Sequence, residues 1–174
     1  IRRCSIRLHQ HDNCMILLGI DPGSRYTGWG VIQVLNRKMS CVSAGRITLT
    51  DSEHCKRLVL IYDGISSIVQ EFKPSVAAIE SVFVQKNVQS ALKLGQARGA
   101  AMVACAKHGL VPYEISPRSV KQCVTGSGAA GKDGVGQMVQ RLLGVDQSLS
   151  VDAFHALAIA ISASMHTEIN RRRA

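Results

Sequence analysis

MILLGIDPGSRYTGWG, residues 15–30, carries the pattern from which the rest of the chain can be read outward. Ile16, Leu17, Leu18 and Ile20 form a short apolar run, as expected of a strand covered on both faces. Asp21 interrupts the run, and Pro22-Gly23-Ser24 turns the chain. A second strand-like run follows from Thr27 to Leu35, so the unit reads as strand, tight turn, strand. A carboxylate at the end of a central strand is costly to bury without a proton, a partner or a cation. Asp21 is therefore a candidate site residue, weighed against an Asp that simply caps a turn before Pro-Gly.

Outward from this unit, Met39 to Leu49 reads as a third strand after the polar turn Asn36-Arg37-Lys38. Short links between three strands imply an antiparallel meander. Glu53 to Phe72 has helical spacing, with Leu58, Ile61, Ile65, Ile68, Val69 and Phe72 on one face, and Lys73-Pro74 stops it. Val76 to Ile79 is a short apolar strand after a helix, which predicts pairing parallel to the first strand. It runs into Glu80. Ligands gather at the carboxyl ends of parallel strands, so Asp21 and Glu80 are predicted to meet there.

A helix is predicted from Asn87 or Ser90 to a C-cap at Gly109, with Gly95, Ala97, Gly99, Ala100 and Ala101 forming a small-residue face. Val111 to Ile115 reads as a fifth strand, and Ser116-Pro117 opens a helix that carries Lys121. The loop TGSGAAG, Thr125 to Gly131, leads to Lys132 and a helix through Leu143. It departs from the phosphate-binding P-loop, because Asp133 stands where Ser or Thr is needed. The last helix starts near Ser148 or Ser150 and runs through Ile161, and Asp152 and His155 share one face near its start. The alternatives for these two are a dipole-facing acid and a structural histidine. From Thr167 the chain is polar and reads as a frayed basic tail over 167–174.

The chain has 174 residues, enough for one domain, and its core is aliphatic: 46% apolar but only 4% aromatic. No run reaches the roughly 18 apolar residues of a membrane span. Residues 1–14 lack the apolar core of a signal peptide and read as a disordered extension, with the domain over 15–166. Six cysteines without a C-x-x-C pair argue against a zinc site and a disulfide framework, which favours a reducing cytoplasm. Cys105 reads as a small buried hydrophobe. The net charge is +9; each end contributes +2 through three arginines against one acid, which leaves +5 on the body. A polyanion, nucleic acid first, is the favoured partner.

Asp21, Glu80, Asp152 and His155 together make three carboxylates and an imidazole at the ends of elements. Such an oxygen-rich set suits Mg²⁺ or Mn²⁺, and two such ions can activate water for phosphodiester hydrolysis. Lys121 and Lys132 would hold neighbouring phosphates by charge.

LGIDPGSRYTGWGVI, AIESVFVQKNVQSALKLGQARG, SPRSVKQCVTGSGAAGKDGV and DAFHALAIAI, in this order and spacing, resemble the bacterial RuvC crossover-junction resolvases over residues 15–165. The resemblance implies an α/β, RNase H-like fold: a mixed five-stranded sheet, antiparallel over its first three strands and parallel thereafter, flanked by helices. It implies a homodimer, Mg²⁺-dependent paired nicking of four-way Holliday junctions in recombination and repair, and partnership with the RuvA–RuvB branch-migration complex. Asp21, Glu80 and Asp152 match the family's acids. Phe83 matches an aromatic that stacks on junction bases, and Lys121 and Lys132 match basic residues near the cleaved phosphate. Lys86, Asn87, Gln96 and Arg98 fall within the matched stretch as further DNA-binding residues, and the helix from Asn87 would form much of the dimer interface.

His155 departs from the family's D-A-x-D-A pattern, in which a second acid stands at this position. A neutral imidazole still binds a divalent ion or orients water, so activity is expected to persist with a greater preference for Mn²⁺. The competing readings are a catalytically silent junction binder, a ribonuclease acting on RNA–DNA hybrids, and a phosphotransferase of the actin-like or sugar-kinase type. The last needs a second domain that this chain is too short to supply.

Overall fold

The computed structural model describes residues 14–81, 88–129, 131–146 and 148–171. Five strands form one sheet in the order β3-β2-β1-β4-β5. The strands are β1 (Cys14–Asp21), β2 (Tyr26–Leu35), β3 (Lys38–Thr48), β4 (Val76–Glu80) and β5 (Tyr113–Ile115). β1, β2 and β3 are antiparallel, whereas β4 and β5 run parallel to β1. The mixed sheet expected from the short and long connections is therefore the one observed. The helices are α1 (His54–Phe72), α2 (Val88–Lys107), α3 (Pro117–Thr125), α4 (Lys132–Leu143) and α5 (Val151–Arg171).

The connections explain this order. Asn36 and Arg37 both take positive φ, 51° and 66°, and link Leu35 to its partner Lys38. Two left-handed residues in a row make the turn whose twist suits a tight hairpin. Ser116 caps α3 by accepting from Ser119 N at 3.1 Å, and Pro117 fills the first helical position, where no N–H is needed.

Alternation along β1 divides the interior in two. Leu18 and Ile20 join Trp29, Val31 and Ile79 beneath α1 and α2. Leu17 lies on the other face with Ile32, Ala78 and the fully buried α5 residues Leu157 and Ile161. Each such aliphatic side chain contributes roughly 1.5–3 kcal/mol on burial. Cys105 is also fully buried, and burial pushes its thiol up to about 11, as befits a small hydrophobe.

The structure departs from the sequence reading in several places. Cys14 belongs to β1, paired with Leu35, so the extension read over 1–14 loses its last residue to the sheet. β5 begins at Tyr113 rather than Val111, because Pro112 has no N–H to give a ladder and Val111 is 84% exposed. The small residues of α2 do not form one face. Ala97 and Ala101 are buried with α1, while Gly95 and Gly99 look into open space. α5 continues beyond Ile161 and through Thr167 to Arg171, so the basic tail starts as helix. Among the described residues, no helix is long and apolar enough to cross a membrane.

Candidate active site

Asp21 and Glu80 each follow the last registered pair of β1 and β4, Ile20 with Ile79. They therefore leave neighbouring strands side by side, on strands about 4.8 Å apart. Both have the parity of the face covered by α5, since Asp21 follows Leu17 and Gly19 by even steps and Glu80 follows Ala78.

The start of α5 lies directly on this end of the sheet. Ser150 Oγ accepts from Ala153 N at 3.3 Å, which fixes the first turn. Glycines then remove the layer that side chains would otherwise occupy. A Cβ on Gly28 would meet the backbone oxygen of Asp152, and one on Gly19 would meet that of Ala156 and lie 2.6 Å from Ala160 N. At Gly30 it would lie 2.8 Å from Leu157 Cδ2. The helix backbone thus touches the strands, and Asp152 and His155 are held at the height of Asp21. His155 Nδ1 stands 3.5 Å from Asp21 Oδ2, with the two side chains 27% and 17% exposed.

Asp21, Glu80, Asp152, His155 and Lys121 line one cleft of about 360 Å³, walled by Pro117, Val120, Val135 and Ala158. All four predicted catalytic residues and one predicted phosphate-binding lysine are therefore brought together. Lys132 opens α4, but its side chain lies outside the described residues, as do Phe83, Lys86 and Asn87 altogether. Gln96 and Arg98 are engaged elsewhere. Gln96 Oε1 is 2.6 Å from His54 Nε2 on α1, and Arg98, 19% exposed, pairs with Glu114 of β5 at 2.6 Å. Arg98 thereby ties α2 to the end of the sheet.

Arg46 was not among the residues singled out by sequence. It stands opposite Gly28, which stands opposite Asp21, so one row crosses three strands on the α5 face. Its Nη1 is 3.8 Å from Asp152 Oδ2, and its guanidinium carbon lies 4.1 Å above the centre of the Tyr26 ring. The available signal was its even spacing from Ala44, which packs inward on the same face.

The donors in the cleft, carboxylate oxygens and one imidazole, have the chemistry of a divalent-cation site. Among the described residues, no three of them stand gathered as a ready cage. Asp152 leans toward Arg46 and Asp21 toward His155, so cation binding requires these side chains to turn inward.

Such a fold, with acids at the ends of adjacent strands beneath a C-terminal helix, defines an RNase H-like nuclease. The family described as crossover junction endodeoxyribonuclease RuvC matches residues 17–163, and the chain belongs to that family. A crossover junction endodeoxyribonuclease RuvC from Cronobacter sakazakii is 50% identical over 147 residues, covering 84% of this chain and 85% of the relative. The counterpart from Legionella pneumophila is 49% identical, covering 84% of each chain. The structure of T. thermophilus RuvC in complex with a Holliday junction substrate superimposes with a TM-score of 0.83 at 29% identity, covering 90% of this chain and 96% of that one. The yeast mitochondrial Holliday junction resolvase Ydc2 shares the fold, with a TM-score of 0.62 at 13% identity over 91% of this chain and 84% of that one.

Proposed function

We propose that Asp21, Glu80, Asp152 and His155 form the catalytic centre of a Holliday junction resolving endonuclease and that the centre works with Mg²⁺, two ions per site, or with Mn²⁺. The observation that carries this reading is the common cleft in which all four side chains meet Lys121. When bound, divalent ions supply an activated water and charge stabilisation for the leaving 3′-oxygen. The chain's own residues do the rest. The three carboxylates converge negative charge where cations are wanted, and Lys121 offsets phosphate charge at the cleft wall. His155 offers a nitrogen where a fourth acid would add an oxygen, which favours Mn²⁺ over Mg²⁺.

Paired nicks require two such sites, and α2 has a surface suited to a homodimer. Val88, Leu92 and Val103 are 62%, 63% and 59% exposed, and Gly95 and Gly99 lie open on this helix. A second copy would cover these apolar groups and gain close backbone approach. The family resemblance further supports junction contacts by Phe83, Lys86, Asn87 and Lys132 and cooperation with RuvA–RuvB in the cytoplasm.

The test is cleavage of a synthetic mobile four-way junction beside linear duplex and RNA–DNA hybrid, with each metal in turn. Paired nicks in the junction alone, lost in Asp21→Asn, are the expected result. Tight junction binding without nicks in either metal would contradict it, and recovery of nicking in His155→Asp would then locate the fault.

A further inference from the structure

We infer that Arg46 is a DNA-contact residue that carries the site across onto β3, where it grips a backbone phosphate near the one that is cleaved. This inference rests on the resolvase reading of the cleft.

The placement comes from register. Asp21, Gly28 and Arg46 lie opposite one another on three neighbouring strands, so Arg46 sits about 10 Å from Asp21 on the same face. Gly28 has no side chain, and the start of α5 rests above it. Arg46 therefore flanks the acids from the β3 side, while Lys121 flanks them from α3. A polyanion laid over the acids meets a cation on each side.

The chemistry comes from how the guanidinium is held. Tyr26 lies on the strand next to β3, diagonal to Arg46, and takes the flat face of the guanidinium at 4.1 Å. Stacking fixes the plane without using the N–H groups at its edge. The contact with Asp152, at 3.8 Å, is longer than a hydrogen bond, and the side chain is 44% exposed. An oriented, incompletely used guanidinium suits two phosphate oxygens at once, which a lysine cannot match.

The experiment is equilibrium binding of a four-way junction to the whole protein, without divalent metal, over a series of salt concentrations. Arg46→Ala is expected to weaken binding several-fold and to flatten the slope of log K against log salt by about 0.9, one phosphate's worth. Arg46→Lys should keep the slope with weaker binding, and Tyr26→Leu likewise. The effect of Arg46→Ala should persist when Asp152→Asn is also present. Unchanged affinity and slope would overturn the proposal. So would an effect that vanishes beside Asp152→Asn, since Arg46 would then only neutralise that acid. Should Arg46→Ala fail to fold, Arg46→Gln removes the charge at nearly constant length and gives the same reading. A wild-type protein that prefers no junction over duplex would overturn the resolvase reading itself, whereas a junction-selective wild type with an indifferent Arg46 would overturn this inference alone.

Discussion

The two faces of the sheet are covered in different ways. Beneath α1 and α2 the strands present Leu18, Ile20, Trp29 and Val31, and large side chains separate helix from strand. Beneath α5 the same strands present Gly19, Gly28 and Gly30, and backbone meets backbone. The first face serves burial, and many packings of similar volume would satisfy it. The second serves position. Carboxylates can share a cation only if the helix that carries Asp152 sits at a set height over the strand that carries Asp21. Glycine at the contact sets that height more tightly than interdigitated side chains would.

If this contrast holds, damage to the two faces should separate stability from turnover. The largest effect on turnover is expected at the site itself. In the proposed centre Asp21→Asn removes a carboxylate from transition-state charge stabilisation worth several kcal/mol, so junction cleavage should fall about a thousand-fold or more. Single-turnover kinetics, with junction affinity measured in parallel, would show it. Next comes Gly28→Ala, whose methyl group pushes against the Asp152 backbone. A displacement near 1 Å costs on the order of 10²-fold in rate, whereas overpacking costs only about 1–3 kcal/mol of stability. Turnover per folded molecule should therefore drop far more than the melting temperature suggests.

The opposite face supplies the counter-test. Ile65, fully buried against the strands from α1, should cost about 2–5 kcal/mol on change to Ala. Denaturant unfolding would measure that loss, and turnover of the remaining folded protein should stay near wild type. A rate loss matching that of Gly28→Ala would remove the distinction between the faces. The smallest effect is expected at the α3 cap, where Ser116→Ala loses the bond to Ser119 N and about 1 kcal/mol. Because α3 carries Lys121 into the cleft, a modest rise in the junction concentration needed for half-maximal cleavage should accompany it.

What the sequence disclosed follows the same division. Short apolar runs that end in Asp21 and Glu80 mark strands whose last side chain leaves the core, and three-residue spacing places Asp152 beside His155 on a helix. These are local patterns, and each survives folding. Features that depend on register were not legible. Arg46 faces the site only because β3 pairs as it does, with an irregularity between Val31 and Ile32 that shifts the remainder of the strand. The small residues of α2 looked like one surface, yet Ala97 turns toward α1 and Gly99 away from it, a division set by where α1 lies. Gln96 and Arg98 were legible as part of a matched motif, but their partners His54 and Glu114 are distant in sequence. The end of α5 was not legible, since polar residues extend a helix readily once its apolar face is anchored.

The most direct measurement of the central claim maps the cation on the polypeptide itself. With Fe²⁺ as the divalent ion, and with ascorbate and peroxide added to the junction-bound protein, radicals cut the chain near the ion, and mass spectrometry locates the breaks. Cuts clustered at the end of β1, the end of β4 and the first turn of α5, absent in Asp21→Asn, are the predicted result. Cuts dispersed along the chain, or clustered away from Asp21, Glu80 and Asp152, would contradict the account.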